Sequence, residues 1–379
     1  MLIALLGGGQ LARMLALAGI PLGLRFRVLD PAPDPCAAAV AQHVRGEFTD
    51  QLALAALLED ASVLGFDFEN VPASALEWAQ QHLPCRPGPA VLAMTQDRLL
   101  EKQGFAGFGV EVAPFWPIQD AGQVRTAMRQ AGGTVILKTR RFGYDGKGQV
   151  RVDDPAHAQS AYVEIGQLPA IAEGLVDFER ELSLLAVRGA DGEMRCWPLV
   201  ENVHVHGMLA LSMAGASVTA ALRAQAEAAA RAVAEHFDYV GVFALEFFEV
   251  GGRLVLNEMA PRVHNSGHWT IEGSSCSQFE NHLRALLGWP LGACDVRTPA
   301  AMLNLIGQMP KATAALAIKG AHWHDYGKKP RRGRKVGHVT LTAPDRPTLV
   351  AHLQQLLPAC GLEALAPRLL PALERCLTS

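Results

Sequence analysis

Short apolar, β-prone runs separated by stretches of helical period dominate the first hundred positions. Leu2–Leu6, Phe26–Leu29 and Val63–Phe68 read as strands, with a helix from Gln10 to Ala18 after the first, a βαβ arrangement. Further along, Val242–Val250 and Arg253–Asn257 are strongly apolar runs broken by Gly251-Gly252, which predicts a hairpin. Before it, the Ala-rich stretch Ala220–Phe237 predicts a helix whose low side-chain bulk suits close packing on a sheet. The stretch from about Val110 to Glu181 reads as a compact insert, a small antiparallel sheet with helices, whose Gly132-Gly133 supplies a flexible point. From about Arg297 the pattern predicts more strands and a last helix, Arg346–Leu357. The expected fold class is mixed, α/β followed by α+β, divided into residues 1–105, 106–181 and 182–379, the last with a small β-rich part from about 297.

Composition narrows the classes. A chain of 379 residues with 50% hydrophobic content can bury several cores, and a net charge of −3 carries no nucleic-acid signature. The seven cysteines are widely spaced with no CxxC pair, which speaks against a disulfide framework or a zinc site and fits a reducing cytosol. Met1–Leu6 runs straight into Gly7-Gly8-Gly9 and reads as a first buried strand rather than a signal peptide. No segment is long enough to span a bilayer, so neither membrane nor nucleic acid is an expected partner.

The candidate chemistry lies in three places. A carboxylate inside an apolar strand is costly unless paired or bound to metal, so Glu246 and Glu258 read as shared Mg²⁺ ligands. Side-chain parity tests this. A strict two-residue loop at Gly251-Gly252 would set Glu246 opposite Asn257, so a shared face requires a three-residue loop or a bulge, and the longer loop is expected. Just beyond, Arg262, His264, Asn265 and Ser266 gather a cation and three hydrogen-bond donors, a nest for an oxyanion. Earlier, Lys138 ends an apolar strand and leads into Gly143-Tyr144-Asp145-Gly146-Lys147-Gly148, a loop able to cover phosphates but without Walker A spacing. The linker Glu173–Val176 could then offer backbone groups to adenine while Glu181 accepts from ribose hydroxyls.

Lysine with a glycine-rich loop, an acidic linker and a carboxylate pair, in that order, resemble an ATP-grasp ligase. Six strings narrow the resemblance: Gly8–Met14, Phe68–Val71, Asp97-Arg98, Gly143–Gln149, Glu258–Trp269 and Gly333–His338 are similar to the 5-(carboxyamino)imidazole ribonucleotide synthetases, over nearly the whole chain. Ala260 supports that branch, since many other ATP-grasp enzymes place a metal-binding Asn two residues after the second Glu. The resemblance implies an ATP-grasp fold with a Rossmann-like first domain, a small lid and an antiparallel-sheet domain, a cytoplasmic homodimer, and Mg²⁺ (Mn²⁺ as alternative) with ATP. It implies ATP contacts at Arg98, Lys138, Glu173, Val176, Glu181 and Asn257, and metal ligation by Glu246 and Glu258. It implies contacts to aminoimidazole ribonucleotide (AIR) at Glu69, Tyr144, Asp145, Lys147, His204, Arg331, Arg334 and Lys335. Bicarbonate would fall to Arg262, His264, Asn265 and Ser266, with Lys335 also catalytic; either Asp145 or His268 would receive the amine proton.

Rival classes account for less. Gly7-x-Gly9-x-x-Ala12 with Asp30 after the second strand could open a dinucleotide-binding dehydrogenase, but that leaves Glu181, Glu246 and Glu258 without a task. A biotin-type or formate-dependent ATP-grasp carboxylase should differ between Arg262 and Trp269, and a non-catalytic ATP-binding regulator has no need of intact Lys138, Glu246 and Glu258.

Overall fold

The computed structural model describes residues 1–143 and 147–378. Tyr144 and Asp145 therefore lie outside the described residues. The chain opens on a four-stranded parallel sheet of β1 (Leu2–Leu6), β2 (Arg25–Asp30), β3 (Gln42–Arg45) and β4 (Val63–Phe66), in the order β3-β2-β1-β4. All five residues of β1 are buried, as a strand covered on both faces requires. β4 ends at Phe66, two residues before the expected Phe68. The Asp67 amide still donates to the Leu6 carbonyl of β1, and its Oδ2 accepts from the backbone amide of Ala12 at 3.1 Å, supplying the anionic cap that Gly9 cannot give the helix Gln10–Gly19.

The second sheet, β5 (Phe115–Ile118), β6 (Val135–Thr139), β7 (Gln149–Val152) and β8 (Ala170–Gly174), is antiparallel in the order β5-β8-β6-β7. The helices Ala121–Ala131 and Ala158–Glu164 close its core around Val124, Met128, Val135, Leu137 and Tyr162.

Nine strands make the third sheet. β9 (Arg180–Arg188), β10 (Met194–Cys196), β11 (Val200–Val205), β12 (Met208–Ala214), β13 (Gly241–Val250), β14 (Arg253–Ala260), β15 (Ala300–Ile306), β16 (Ala321–Asp325) and β17 (Lys335–Thr342) run in the order β14-β13-β9-β11-β12-β15-β17-β16, with β10 on β9. The helix Ala220–His236 buries Ala226, Ala230 and Val233 on the face carrying Phe243, Leu245 and Phe247. The opposite face carries Val242 and Ala244 under the helix Gln278–Leu287, which also packs on Gln10–Gly19 of the first sheet. After the helix Arg346–Ala359 comes a second terminal helix, Ala366–Thr378, that the sequence pattern does not announce because Pro367 and Pro371 fall in its first half.

The hairpin corrects one expectation. Val250 pairs with Arg253, so the loop is Gly251-Gly252 alone, both residues left-handed (φ 55° and 73°) as a tight two-residue turn demands. The longer loop does not form. Instead the register shifts at Glu246/Phe247: Phe247 pairs with Leu256, Glu246 pairs with Glu258, and Asn257 is bulged. That bulge puts both glutamates on one face.

Candidate active site

Along β13 the face that begins with Val242 and Ala244 continues to Glu246, and along β9 the matching face runs from Leu185 to Ser183 and Glu181. Apolar cover gives way to a cleft of about 850 Å³, at the upper end of the range for small-molecule sites. Among the described residues, every sequence-derived site residue except Ser266 and His268 lines it: Glu69, Arg98, Lys138, Lys147, Glu173, Val176, Glu181, His204, Glu246, Asn257, Glu258, Arg262, His264, Asn265, Arg331, Arg334 and Lys335. All three sheets contribute.

On the side of Lys138 the groups are ionic. Lys138 Nζ lies 3.0 Å from Glu173 Oε2, and Lys102, which is buried, lies 3.5 Å from the same oxygen. Burial alone would raise the Glu173 carboxyl, but the two lysines hold it down at about 2. Arg98 Nη1 meets Glu258 Oε2 at 3.1 Å. Enclosure pushes Glu258 up, and Arg98 with Lys138 outweighs it, leaving the carboxyl below its usual range. The linker after β8 is fixed by its own backbone, with Gly174 donating to Pro114 and Leu175 to Thr134. Phe178 stacks on Phe248 at 4.6 Å and 15°, two aromatic rings at the cleft wall that sequence reasoning did not single out. Glu181 forms an ion pair with His204, whose imidazole is lowered by burial and raised further by that carboxylate, for a net rise.

On the other side, around His264, the cation Arg262 stands beside neutral groups hydrogen-bonded in series. His264 is pushed well below its ordinary value by burial and by Arg262 and Lys335, so it is neutral. The Ser266 amide donates to His264 Nδ1 at 3.3 Å, which leaves the proton on Nε2, 3.2 Å from Glu246 Oε1. Behind it, Ser266 Oγ lies 2.8 Å from Nδ1, Ser183 Oγ 2.8 Å from Ser266, and Asn202 Nδ2 donates to Ser183 at 2.9 Å. Gln278 grips the His264 backbone at both N and O (2.8 and 2.6 Å). Ser266 thus sits behind the ring and orients it. Asn265 reaches the cleft while its amide exchanges two hydrogen bonds with Asn304 (3.1 and 2.7 Å). His268 is fully buried against Phe279 and His338 and does not line the cleft. Arg262 pairs with Glu69 at 2.9 Å, joining the loop after β4 to the anion nest.

Glu246 lies between the two sides. Burial, then the charge of Glu258, pushes it up to about 7, so the pair is short of positive charge. Among the described residues no cluster of three or more His, Cys, Asp or Glu side chains suits a metal ion. Two carboxylates still fit Mg²⁺, which typically takes one or two from protein and completes its shell with phosphate oxygens and water.

The chain matches three family models in succession: a ribonucleotide synthetase preATP-grasp domain over residues 1–96, an ATP-grasp domain over 103–279, and a phosphoribosylaminoimidazole carboxylase C-terminal domain over 300–352. The N5-carboxyaminoimidazole ribonucleotide synthase of Pseudomonas aeruginosa is 48% identical over 356 residues, covering 94% of this chain and 98% of that one. The chain belongs to the N5-carboxyaminoimidazole ribonucleotide synthase family. The crystal structure of the Thermus thermophilus synthetase superposes with a TM-score of 0.91 at 49% identity, over 95% of this chain and 98% of that one. That of the Aspergillus clavatus synthase, solved with ADP and 5-aminoimidazole ribonucleotide, gives 0.89 at 31%, over 95% and 98%. The fold is thus the family's ATP-grasp fold behind a preATP-grasp domain, as the sequence strings imply.

The family's motif strings omit Glu101 and Lys102 on the helix Arg98–Gly107 and Ser183 on β9. The lysine had a signal: Leu99, Lys102 and Phe105 are three apart, which puts a cation on the buried stripe of a helix. Ser183 had none, because its partners come from other strands.

Proposed function

We propose that the chain is an ATP-dependent carbon–nitrogen ligase that carboxylates the exocyclic amine of AIR with bicarbonate, releasing ADP and phosphate, in de novo purine synthesis. The observation that carries this reading is the meeting, in one cleft, of the Lys138–Glu173 nucleotide side, the Glu246/Glu258 pair and the Arg262–His264 anion nest.

Adenine would lie against the linker at Glu173–Val176 and the Phe178–Phe248 pair, with ribose on Glu181 and phosphates near Lys138 and Arg98. Mg²⁺ held by Glu246 and Glu258, with Asn257 at the nucleotide, would offset charge on the transferred phosphoryl group; Mn²⁺, which shares the preference for oxygen ligands, would also serve. Arg262 and the Nε2–H of His264 would orient bicarbonate, with Asn265 and Ser266 holding that nest in shape. A bicarbonate oxygen attacks the γ-phosphorus as its bond to ADP breaks, giving carboxyphosphate. The AIR amine then attacks the carboxyl carbon, or CO2 released beside it, and phosphate departs with the bridging oxygen. The amine proton goes to a cleft base. Of the two bases the sequence offers for it, His268 is buried away from the cleft and Asp145 lies outside the described residues. Glu69, Tyr144, Lys147 and His204 would surround AIR, with Arg331, Arg334 and Lys335 on its phosphate. We assign the domains to 1–105, 106–181 and 182–379, and the working form to a cytoplasmic homodimer; no helix of the described residues is long and apolar enough to cross a membrane.

The test is ADP release with Mg²⁺-ATP and bicarbonate, with and without AIR, while carboxylated product is followed in parallel. AIR-dependent turnover with product is expected. ATP hydrolysis indifferent to AIR would overturn the assignment of substrate.

A further inference from the structure

β14 is an outer strand of the nine-stranded sheet, so along one side it has no strand to bond. An open edge inside a protein leaves amides and carbonyls that must find partners. The Leu256 amide finds the carbonyl of Glu111 at 2.8 Å. The Leu254 amide finds Gln225 Oε1 at 3.1 Å, and around the bulge the partners are side chains of the helix Arg98–Gly107. Lys102 Nζ donates to the carbonyls of Leu256 (3.2 Å) and Asn257 (2.6 Å), and Glu101 Oε1 accepts from the Met259 amide at 2.8 Å. These three residues bracket the bulge at Asn257 and flank Glu258. Both side chains are almost wholly buried, at 3% and 1% exposure, a placement that costs desolvation and is hard to explain as surface charge. The same ammonium also reaches Glu173 of β8 at 3.5 Å, linking the edge of the third sheet to the second.

We infer that Glu101 and Lys102 are positioning residues for the Glu246/Glu258 pair: they replace the missing strand along β14 and so hold the Asn257 bulge on which the shared face of the two carboxylates depends. The inference rests on the metal reading of that pair.

The test is direct binding of Mn²⁺ to the full chain with ADP, read from the electron paramagnetic resonance signal of free Mn²⁺, without turnover. Lys102→Met and Glu101→Met, which remove donor and acceptor while keeping bulk, are expected to weaken Mn²⁺ binding by about 10- to 100-fold. Glu101→Gln replaces the carboxyl as Glu101→Met does but keeps an oxygen for the Met259 amide, and is expected to stay within about threefold of the unmodified chain. Affinity within about twofold in folded Glu101→Met, or equal losses in the Gln and Met variants, would overturn the inference. If Lys102→Met does not fold, the Glu101 pair carries the test alone. Glu258→Gln is the control: unchanged Mn²⁺ binding there would show that the metal reading fails, whereas its loss beside unaffected Glu101 and Lys102 variants would sink only the positioning role.

Discussion

The two sides of the cleft reach order by opposite means. The nucleotide side is built from full charges: Lys138 and Lys102 on Glu173, Arg98 on Glu258. The anion side sets one cation, Arg262, beside a run of neutral groups, Asn202 to Ser183 to Ser266 to His264, each oriented by the one behind it. Charges suit a site that must receive a polyphosphate and let it go. Beside a small oxyanion a single cation, Arg262, would supply the attraction while the neutral donors fix its orientation. Glu246 is where the two regimes touch, paired to Glu258 on one side and to His264 on the other.

The comparison breaks most readily at the charged pair. Glu258→Gln should lower ATP turnover by roughly 10²- to 10³-fold with folding intact, by analogy with removing a fixed electrostatic contact from a reacting group. A near-normal rate would take Glu258 out of the metal site. Lys138→Met comes next: the KM for ATP should rise by about 10- to 100-fold while that for bicarbonate stays nearly constant. A matching rise in both would mean that the two sides are not separate. On the neutral side Ser183→Ala should cost less, about 1–3 kcal/mol for a donor left without its partner, and should appear in kcat and in the KM for bicarbonate rather than for ATP. An effect confined to the KM for ATP would contradict the division.

The smallest effect is on stability. The folded-state pKa of Glu246, about 7 against an ordinary value of 4.5, is raised. Its contribution is therefore fully present below the ordinary value and is lost as pH rises through about 7. Without divalent metal, Glu246→Gln should melt higher than the parent at pH 8, with the difference shrinking toward pH 5. Equal melting differences at both pH values would argue against a strained carboxyl.

How much of this was legible in the sequence follows the same division. The charged parts announce themselves one residue at a time: a Glu in an apolar strand, a Lys at a strand end, a Gly-Gly turn. The βαβ opening, the hairpin and the helix beginning at Ala220 were accordingly readable from pattern alone. What failed depends on distant partners. The bulge at Asn257 forms where a lysine 155 residues away meets its carbonyl, so no local rule could choose it over a longer loop. The position of Ser266 behind the imidazole depends on Ser183, 83 residues away, and on Asn202 from a third strand. The cap that Asp67 sets on a helix 55 residues upstream is likewise a contact between distant residues.

The most direct test of the central claim, that one cleft joins phosphoryl transfer to amine carboxylation, is to supply bicarbonate labelled with ¹⁸O and follow the label during AIR-dependent turnover. The account predicts that the released phosphate carries one oxygen from bicarbonate, because the attacking oxygen leaves with phosphorus when the carboxyl group is passed on. Phosphate free of the label, with product still formed, would contradict it.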